Sequence, residues 1–352
     1  MILLKRCFAC VCILVLLCSF SACGDKSRVV FTTGFGKEDV FRIDDIRCTR
    51  GEIMVYLYTT QNRYEEVYGP EVWNVSKGDI TLENNVKDTV LEKTARIKTM
   101  YLLAQNRDLK LEESEQTLAE RAAEEYFNGL SEEEREFLGI SREKLVNMYS
   151  EYALASKVYR EIIQDVNQEV SDDEARTITV QHIFLRTWTT NGNGTRIEYG
   201  EDVKRSVYKK AYEIRTMALD ENQDFLELAS KYSDDSVITY SFGKGEAEKE
   251  IETVAFALET NEISEVIETA EGFHIIKCIS TFDREQTDLS KIKIVETRRR
   301  ERFAQEYDAF AETLTHQLNT KLWNEITMEH DRKVGAKDFY EIYEKYFNGY
   351  EN

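Results

Sequence analysis

Two stretches of sequence decide the fold: Val180–Leu185, which reads VQHIFL, and Gly272–Lys277, which reads GFHIIK. Each run is rich in β-branched and aromatic residues and is bounded by polar or glycine-containing sequence, which is typical of a short β-strand. Each carries one of the chain's four histidines, His182 or His274, among apolar neighbours. Because side chains alternate between the faces of a strand, each histidine shares a face with the apolar residues two positions away. We expect a domain organised around this pair of strands.

Composition limits the classes of protein to which the chain can belong. At 352 residues it is long enough for two lobes, and its 42% hydrophobic and 11% aromatic content excludes wholesale disorder. The formal net charge of −20 argues against nucleic acid and anionic lipid surfaces, which recruit clustered Lys and Arg. The sequence contains no Gly-x-Ser-x-Gly elbow and no His-Glu-x-x-His zinc helix. We therefore expect no cofactor, no metal site and no nucleic-acid partner.

The first residues of the chain predict export. Lys5 and Arg6 precede an apolar run, Cys7–Leu17, that is shorter than the ~20 residues needed to span a bilayer. A cleaved secretory leader is therefore favoured over a permanent membrane helix. Five of the seven cysteines lie in this region, which leaves only Cys48 and Cys278 in the remaining chain. We expect these two to be unrelated buried thiols rather than a disulfide.

The leader ends in Phe20–Gly24, which reads FSACG and resembles a bacterial lipobox, although Phe20 stands where leucine is usual. The resemblance implies that residues 1–22 are a lipoprotein signal peptide and that Cys23 is lipidated. The alternative is an ordinary cleaved signal with a coincidental cysteine. Two or three acyl chains suffice for stable anchoring. We expect a lipid-anchored protein at the extracytoplasmic face of the cell membrane, with residues 23–40 as a tether.

Helical periodicity dominates on both sides of the two histidine strands. Residues 41–175 predict a helical N-terminal lobe whose aromatic surfaces form either a core or a cradle for unfolded segments. Residues 283–330 predict a C-terminal helix with an apolar stripe that must be buried somewhere. We expect this helix to pack on the N-terminal lobe, so that residues 176–282 form an insertion. The segment 331–352 is treated as a tail without an assigned function.

The C-terminal segment also carries polar features. Its helical pattern extends from Leu289 to about Ile326. The basic run formed by Arg298, Arg299, Arg300 and Arg302 is expected either to pair with carboxylates of the N-terminal lobe or to be solvated. His316 and His330 have the pattern of surface residues.

A series of landmarks follows the first histidine strand in a fixed order. They are Phe225–Ala229 (FLELA), Tyr232–Ser236 (YSDDS), Phe242–Gly245 (FGKG), Ala255–Leu258 (AFAL), Glu262–Ser264 (EIS) and Glu271–Lys277 (EGFHIIK). In this order and spacing they resemble the parvulin family of peptidyl-prolyl cis/trans isomerases over about a third of the chain. With the lipobox and the flanking helices, the whole chain resembles PrsA-type extracytoplasmic foldase lipoproteins, which are related in layout to SurA-type chaperones.

The resemblance implies an α+β fold. It consists of a small antiparallel-sheet parvulin domain with surrounding helices, inserted in or following an all-α chaperone-like lobe that the N- and C-terminal helices form. In the family, two histidines and an Asp or Cys form a hydrogen-bonded group under the substrate prolyl bond. His182, His274 and Asp235 match those positions, and Thr269 matches a hydroxyl that joins them. These four residues are the predicted catalytic group.

The chemistry of isomerisation suits such a group. Rotation about a peptide bond faces a barrier of ~18–20 kcal/mol because resonance gives the C–N bond double-bond character. No nucleophile is needed, since a site need only bind the twisted amide better than the planar one. A neutral histidine pair can keep a polar floor satisfied without a net buried charge.

The resemblance also implies a pocket for the proline ring. Its predicted residues are Tyr240, Phe242, Ala247, Ile251 and Phe256. Phe242 matches the aromatic residue of the family's pocket. Ala247 and Ile251 stand where a large apolar residue and a phenylalanine are usual, so this wall is thinner and should hold proline less well. We expect weak isomerase activity.

The resulting hypothesis is an extracytoplasmic prolyl isomerase and foldase. Its partners would be unfolded or partly folded exported polypeptides that contain Xaa-Pro bonds, together with the membrane that Cys23 reaches. The alternative is a non-catalytic chaperone that holds clients and carries a degenerate parvulin domain. A more remote alternative is an envelope scaffold that binds no clients.

Overall fold

The structure, a computed structural model, describes residues 34–78, 80–330, 334–335 and 337–350. The predicted signal peptide, Cys23 and most of the predicted tether lie outside these residues. The chain divides into two compact units. The discontinuous unit combines the residues up to Asp165 with those from Glu301 onward, and the central unit is Val166–Arg300.

Helices predominate in the discontinuous unit and combine with a four-stranded sheet in the central unit, in agreement with the predicted α+β class. In chain order they are α1 Arg50–Tyr68, α2 Leu82–Asn106, α3 Glu113–Asn128, α4 Glu132–Leu138, α5 Arg142–Ile163, α6 Asp172–Ala175, α7 Glu201–Ala218, α8 Phe225–Tyr232, α9 Lys249–Ala255, α10 Arg284–Ala311, α11 Thr320–Glu325 and α12 Phe339–Phe347, with 3₁₀ turns at Pro70–Asn74 and Asn348–Tyr350.

Across the described ranges, the strands form four antiparallel sheets. In chain order they are β1 Asp39–Ile43, β2 Ile46–Thr49, β3 Ser76–Lys77, β4 Ile80–Thr81, β5 Thr177–Arg186, β6 Trp188–Thr190, β7 Arg196–Glu198, β8 Thr239–Gly243, β9 Ile267–Glu268, β10 Gly272–Ser280 and β11 His316–Leu318. The orders are β11-β1-β2 and β8-β5-β10-β9, with β3-β4 and β6-β7 as two-stranded ribbons.

The four-stranded sheet is the framework of the central unit. The two histidine strands lie side by side at its centre, since β5 pairs antiparallel with β10. Because paired residues share a face, the sheet separates two apolar clusters. One cluster joins Ile183 and Ile275 to α7 and α8. The other joins Val180 and Ile276 to α9 and lies on the face that carries both histidines.

Gly272 sets the point at which β10 begins. Its φ is +152°, and a Cβ atom there would lie 2.2 Å from the carbonyl oxygen of Leu185 on the paired strand. Only glycine permits this close approach of two backbones. The approach fixes the register that brings His274 opposite Phe184, two residues further along β10.

Helix α1 is the centre of the discontinuous unit. It begins where Thr49 and Glu52 form a capping box, and it ends at Gly69, whose positive φ precedes Pro70. Its buried side chains belong to one core that also holds residues of α2, α3, α5 and α12. In the same unit, Phe303 of α10 packs edge-to-face on Tyr159 of α5, with ring centroids 5.1 Å apart.

Three predictions about the discontinuous unit were wrong. The lobe is not all-α, because β11 pairs with β1 and extends a three-stranded sheet. The C-terminal helix stops at Ala311 and does not continue to about Ile326, because the chain turns there into β11 and the short α11. The tether cannot extend to residue 40, since β1 starts at Asp39 and Val40 is fully buried.

The segment 331–352 is not a peripheral tail. Its described part contains α12, and the Phe339 ring is fully buried against Tyr149 with centroids 4.1 Å apart. Nearby, His330 is half-buried instead of exposed, because its ring stacks on Trp73 at 5.4 Å and its Nε2 lies 3.4 Å from Glu83. His316 is half-buried as well, within β11.

The basic run has local partners. Arg298 donates to Glu174 and to the backbone carbonyls of Asn167 and Glu169, all within the central unit. Arg302 pairs with Glu306 one turn along α10. Arg298 is therefore paired with a carboxylate of residues 41–175, as predicted, although the structure places Glu174 in the central unit and not in the discontinuous one. Arg302 instead pairs within its own helix.

The thiols of Cys48 and Cys278 are both buried and free, as predicted. Among the described residues, no helix combines the length and the apolar character needed to cross a membrane.

Candidate active site

Two imidazole rings form the floor of the candidate site. Nε2 of His182 and Nδ1 of His274 lie 2.8 Å apart, within hydrogen-bond distance. The rings are nearly parallel, with an interplanar angle of 7° and centroids 5.0 Å apart. Each histidine is only 4% exposed. The antiparallel register creates this contact, because β5 and β10 place the two side chains on one face of the sheet in adjacent rows.

A hydroxyl extends this pair into a directed chain of hydrogen bonds. Oγ1 of Thr269 lies 2.9 Å from Nε2 of His274 and accepts the backbone N–H of Glu271 at 3.1 Å. These distances allow two tautomer arrangements. In one of them the Thr269 hydroxyl donates to Nε2 of His274 and Nδ1–H of His274 donates to Nε2 of His182, which leaves a hydrogen on Nδ1 of His182. This atom is buried and has no hydrogen-bond partner in the part of the chain that the structure describes.

Both imidazoles are neutral at pH 7. Burial lowers the pKa of His182 to about 4. Burial lowers the pKa of His274 to about 4 as well, and the neighbouring His182 adds to this effect. Desolvation disfavours the charged form of a buried base, and two cations cannot share one apolar floor. The neutral tautomers that the chain requires are therefore the stable forms.

A short turn brings a carboxylate to the same site. The Ser233 hydroxyl accepts the backbone N–H groups of Phe184 and Asp235 at 3.1 and 3.2 Å, and thereby holds the turn against β5. The half-buried Asp235 accepts the Val237 N–H at 3.1 Å, so its carboxylate is already oriented. Its negative charge works against the lowering of the pKa of His182 by burial. Asp235 therefore acts on the histidine pair through its field.

Aromatic rings form a wall beside the histidines. Tyr240 and Phe242 on β8 are paired with Val180 and Ile178 of β5, so they share the histidine face. The Tyr240 ring lies edge-on to His182 at 5.7 Å, and Phe242 follows Tyr240 at 5.7 Å. Burial, followed by the charge of Asp235, raises the pKa of Tyr240 to about 12, so its hydroxyl stays protonated.

The other predicted pocket residues differ in how accessible they are. Ile251 is buried in the apolar cluster with Phe242, whereas Ala247 and Phe256 are half-buried. The Phe256 ring lies 5.8 Å from Phe242 and is covered by the Arg176 guanidinium at 4.9 Å. The structure therefore gathers all five predicted pocket residues into one apolar cluster, of which Tyr240 lies nearest to the histidines.

Sequence reasoning missed two contributors to the site. Phe184 stacks on His274 at 4.8 Å; alternation along the strand placed Phe184 on the face of His182, but the sequence analysis did not assign it to the site. Glu271 accepts hydrogen bonds from Trp188 and Arg196, which lie on the β6–β7 ribbon. These bonds secure the turn that carries Thr269. No sequence signal links the ribbon to this turn, since 75 residues separate Arg196 from Glu271.

Within residues 34–78, 80–330, 334–335 and 337–350, no group of three or more His, Cys, Asp or Glu side chains could hold a metal ion. The site as it stands offers a neutral hydrogen-bonded floor, one carboxylate and an aromatic wall.

Comparison with known proteins places these residues in a family. Residues 182–280 match the model of the rotamase family, described as a PPIC-type PPIase domain. The chain is 30% identical to foldase protein PrsA of Oceanobacillus iheyensis over 254 residues, which cover 68% of this chain and 72% of that protein. It is 21% identical to foldase protein PrsA of Clostridium botulinum over 326 residues, covering 82% and 89% of the two chains. A crystal structure of peptidylprolyl isomerase PrsA from Bacillus cereus aligns with a TM-score of 0.35 and 18% identity, covering 86% of this chain and 98% of that chain.

Proposed function

This chain belongs to the PrsA foldases, and from that membership we propose that it helps exported polypeptides to fold outside the cytoplasm by isomerising their Xaa-Pro bonds. The central unit carries the isomerase. The observation that supports this assignment is the chain of hydrogen bonds from Thr269 through His274 to His182, which lies beside the aromatic wall of Tyr240.

The site performs isomerisation by positioning and electrostatics. The proline ring packs against Tyr240 and its apolar neighbours, which excludes water from the bond that rotates. Twisting the amide breaks its resonance and redistributes charge between nitrogen and oxygen. His182 and His274 are hydrogen-bonded to each other, His274 is also bonded to Thr269, and Asp235 accepts the Val237 N–H, so these groups accommodate the change with little reorganisation. Because no covalent step is needed, neither a strong base nor a nucleophile is required.

Replacing His182 with alanine tests the assignment directly. We expect kcat/KM for a short Xaa-Pro peptide to fall by about 10²-fold, the effect typical of removing one preorganised polar group from an active site. The measurement is a cis/trans assay corrected for the spontaneous rate. The control is His330→Ala, because His330 lies in the discontinuous unit, where its ring stacks on Trp73. Circular dichroism verifies that both variants are folded.

Equal rates for the wild type and His182→Ala, both at the spontaneous level, would contradict the isomerase proposal. If the wild type lacked isomerase activity but still suppressed the aggregation of an unfolded client, the result would support the non-catalytic chaperone hypothesis. A wild type that neither isomerises peptides nor suppresses the aggregation of an unfolded client would support the scaffold hypothesis.

We further propose that Cys23 carries a lipid anchor. The support is the lipobox-like Phe20–Gly24, which follows a short apolar leader. Changing Cys23 to alanine should move most of the protein from the membrane fraction to the medium or to the soluble extracytoplasmic fraction. Unchanged sedimentation with membranes would contradict the anchor.

A further inference from the structure

The discontinuous unit contains a crevice of about 440 Å³. Four of its helices contribute to the lining, namely α1, α2, α5 and α12. None of these elements belongs to the isomerase site. The volume lies in the range in which ligand-binding clefts occur.

The floor of the crevice is apolar and aromatic. It is lined by Ile97 and Met100 of α2, Tyr152 of α5 and Tyr340 of α12. The two tyrosine rings lie 5.5 Å apart and are half-buried, so each presents an edge or face to the crevice. Such a floor favours an aromatic or aliphatic side chain.

The rim of the crevice is cationic. Arg63, Lys93 and Arg96 are exposed and line it together with one carboxylate, that of Glu344. Arg96 lies 5.7 and 5.4 Å from the ring centroids of Phe303 and Tyr307. Over the ranges that the structure describes, neither Lys93 nor Arg96 has a carboxylate within ion-pair distance. Arg63 differs, since it pairs with Asp338 at 2.8 Å.

The charge of the crevice is opposite to that of the chain. The whole chain carries a formal charge of −20, and most of its surface therefore repels an acidic segment. Two cations without carboxylate partners beside an apolar floor reverse this repulsion at one place. A surface that combines complementary charge with apolar area discriminates between binding partners better than a surface with only one of these features.

We propose that this crevice binds a segment of unfolded polypeptide in which an acidic side chain adjoins an aromatic or aliphatic one. The apolar side chain lies on Tyr152 and Tyr340, and the carboxylate pairs with Lys93 and Arg96. This proposal rests on the proposed function only in that a foldase meets unfolded polypeptides. A polypeptide fits better than an acyl chain, because the wall mixes charged and apolar groups and its rim is open to solvent, whereas an acyl chain favours an enclosed apolar cavity.

Peptide binding tests the proposal without involving the isomerase site. The probe is a fluorescein-labelled, C-terminally amidated peptide, Gly-Asp-Phe-Leu-Asp-Gly, which lacks proline, and the comparison peptide has Lys in place of each Asp. Fluorescence anisotropy with the full chain should show tighter binding of the acidic peptide, by about tenfold at low salt. Added salt should weaken this binding, because exposed charges are screened.

Variants locate the binding site. In Lys93→Glu/Arg96→Glu, affinity for the acidic peptide should fall by tenfold or more. The matched control is Lys110→Glu/Lys321→Glu, which makes the same change of charge at two exposed lysines of the same unit outside the crevice, and it should bind like the wild type. All four substituted side chains are exposed, so the fold should be retained, and the melting temperature checks this.

Three results would overturn the proposal. They are no binding of the acidic peptide, equal binding of the acidic and basic peptides, and equal loss of binding in the crevice variant and in the charge-matched control. Dodecanoate that binds more tightly than the peptide, and that is lost in the same variant, would replace the polypeptide with an amphiphilic carboxylate. His182→Ala should leave peptide binding unchanged, and the crevice variant should keep the isomerase activity. The isomerase assay and the peptide-binding assay therefore test the proposed function and the proposed crevice independently.

Discussion

Replacing Lys98 with methionine should lower the free energy of unfolding of the discontinuous unit by about 3–5 kcal/mol, the cost of breaking a buried ionic group by removing one partner. The Lys98 ammonium lies 2.5 Å from Glu52 and 2.6 Å from Glu151, and its side chain is only 3% exposed. Without it, the carboxylates of the buried Glu52 and the half-buried Glu151 have no common cation. The measurement is chemical denaturation of the variant and the wild type under identical conditions.

The decrease in the free energy of unfolding of Lys98→Met should depend on pH. Burial raises the pKa of Glu151 even in the presence of Lys98, whose charge works in the opposite direction. Removing the lysine raises this pKa further above its value in the unfolded chain. The folded variant then binds more protons than the unfolded chain, so its stability falls as pH rises through the raised pKa. The deficit relative to the wild type should therefore be smaller at pH 5 than at pH 8.

Two further variants identify the cause of this loss. Lys98→Met/Glu151→Gln should recover part of the lost stability, because only the carboxylate of Glu52 is then left without its cation. Lys93→Met, an exposed position on the same helix, should change stability by no more than about 0.5 kcal/mol. A loss in Lys98→Met that is independent of pH and is not recovered in the double variant would show that packing, and not charge, is responsible.

Replacing Phe339 with alanine should also cost about 3–5 kcal/mol, the range for deleting a buried aromatic side chain. The Phe339 ring is fully buried, stacks on Tyr149 at 4.1 Å and meets Tyr56 edge-on at 5.0 Å. Its backbone carbonyl also accepts the Tyr149 hydroxyl at 3.2 Å. The resulting cavity would lie at the junction of α1, α5 and α12. Calorimetry of the full chain measures the effect.

Position 341 provides the control for this variant. Glu341→Ala replaces an exposed residue of the same short helix and should be nearly neutral. The isomerase activity of Phe339→Ala should persist at temperatures at which its discontinuous unit remains folded, because Phe339 lies outside the central unit. A decrease of less than about 1 kcal/mol in the free energy of unfolding of Phe339→Ala would mean that α12 contributes little to stability. The segment would then behave as the tail predicted from sequence.

The local features of the fold were predictable from sequence. Alternation in Val180–Leu185 placed His182 and Phe184 on one face, and the structure has them there. Ser131 and Glu134 have the S-x-x-E spacing of a capping box, and α4 begins directly after Ser131. The parvulin resemblance selected four predicted catalytic residues. The structure brings His182, His274 and Thr269 into a hydrogen-bonded chain and places Asp235 near enough for its charge to act on both histidines.

The errors arose where one local pattern suits two structures. Leu314 and Leu318 are four residues apart, a spacing that continues a helix, yet Leu318 lies in a strand opposite Phe41. Phe339 lies in a short charged and aromatic segment, which by itself cannot stabilise a helix. Neither the pairing nor the burial is visible without the partner surface.

By itself, the sequence determined which residues face one way along each strand or helix, where the helices are capped, and which side chains can carry the chemistry. Only the tertiary structure decided which faces meet: that β1 pairs with β11, that α12 completes a core begun by α1, and that Glu271 secures the turn of Thr269. The physical reason is the separation along the sequence over which each interaction acts. Backbone hydrogen bonding and side-chain periodicity act between near neighbours in the sequence. Burial of apolar area stabilises contact with any complementary surface, however distant in the chain.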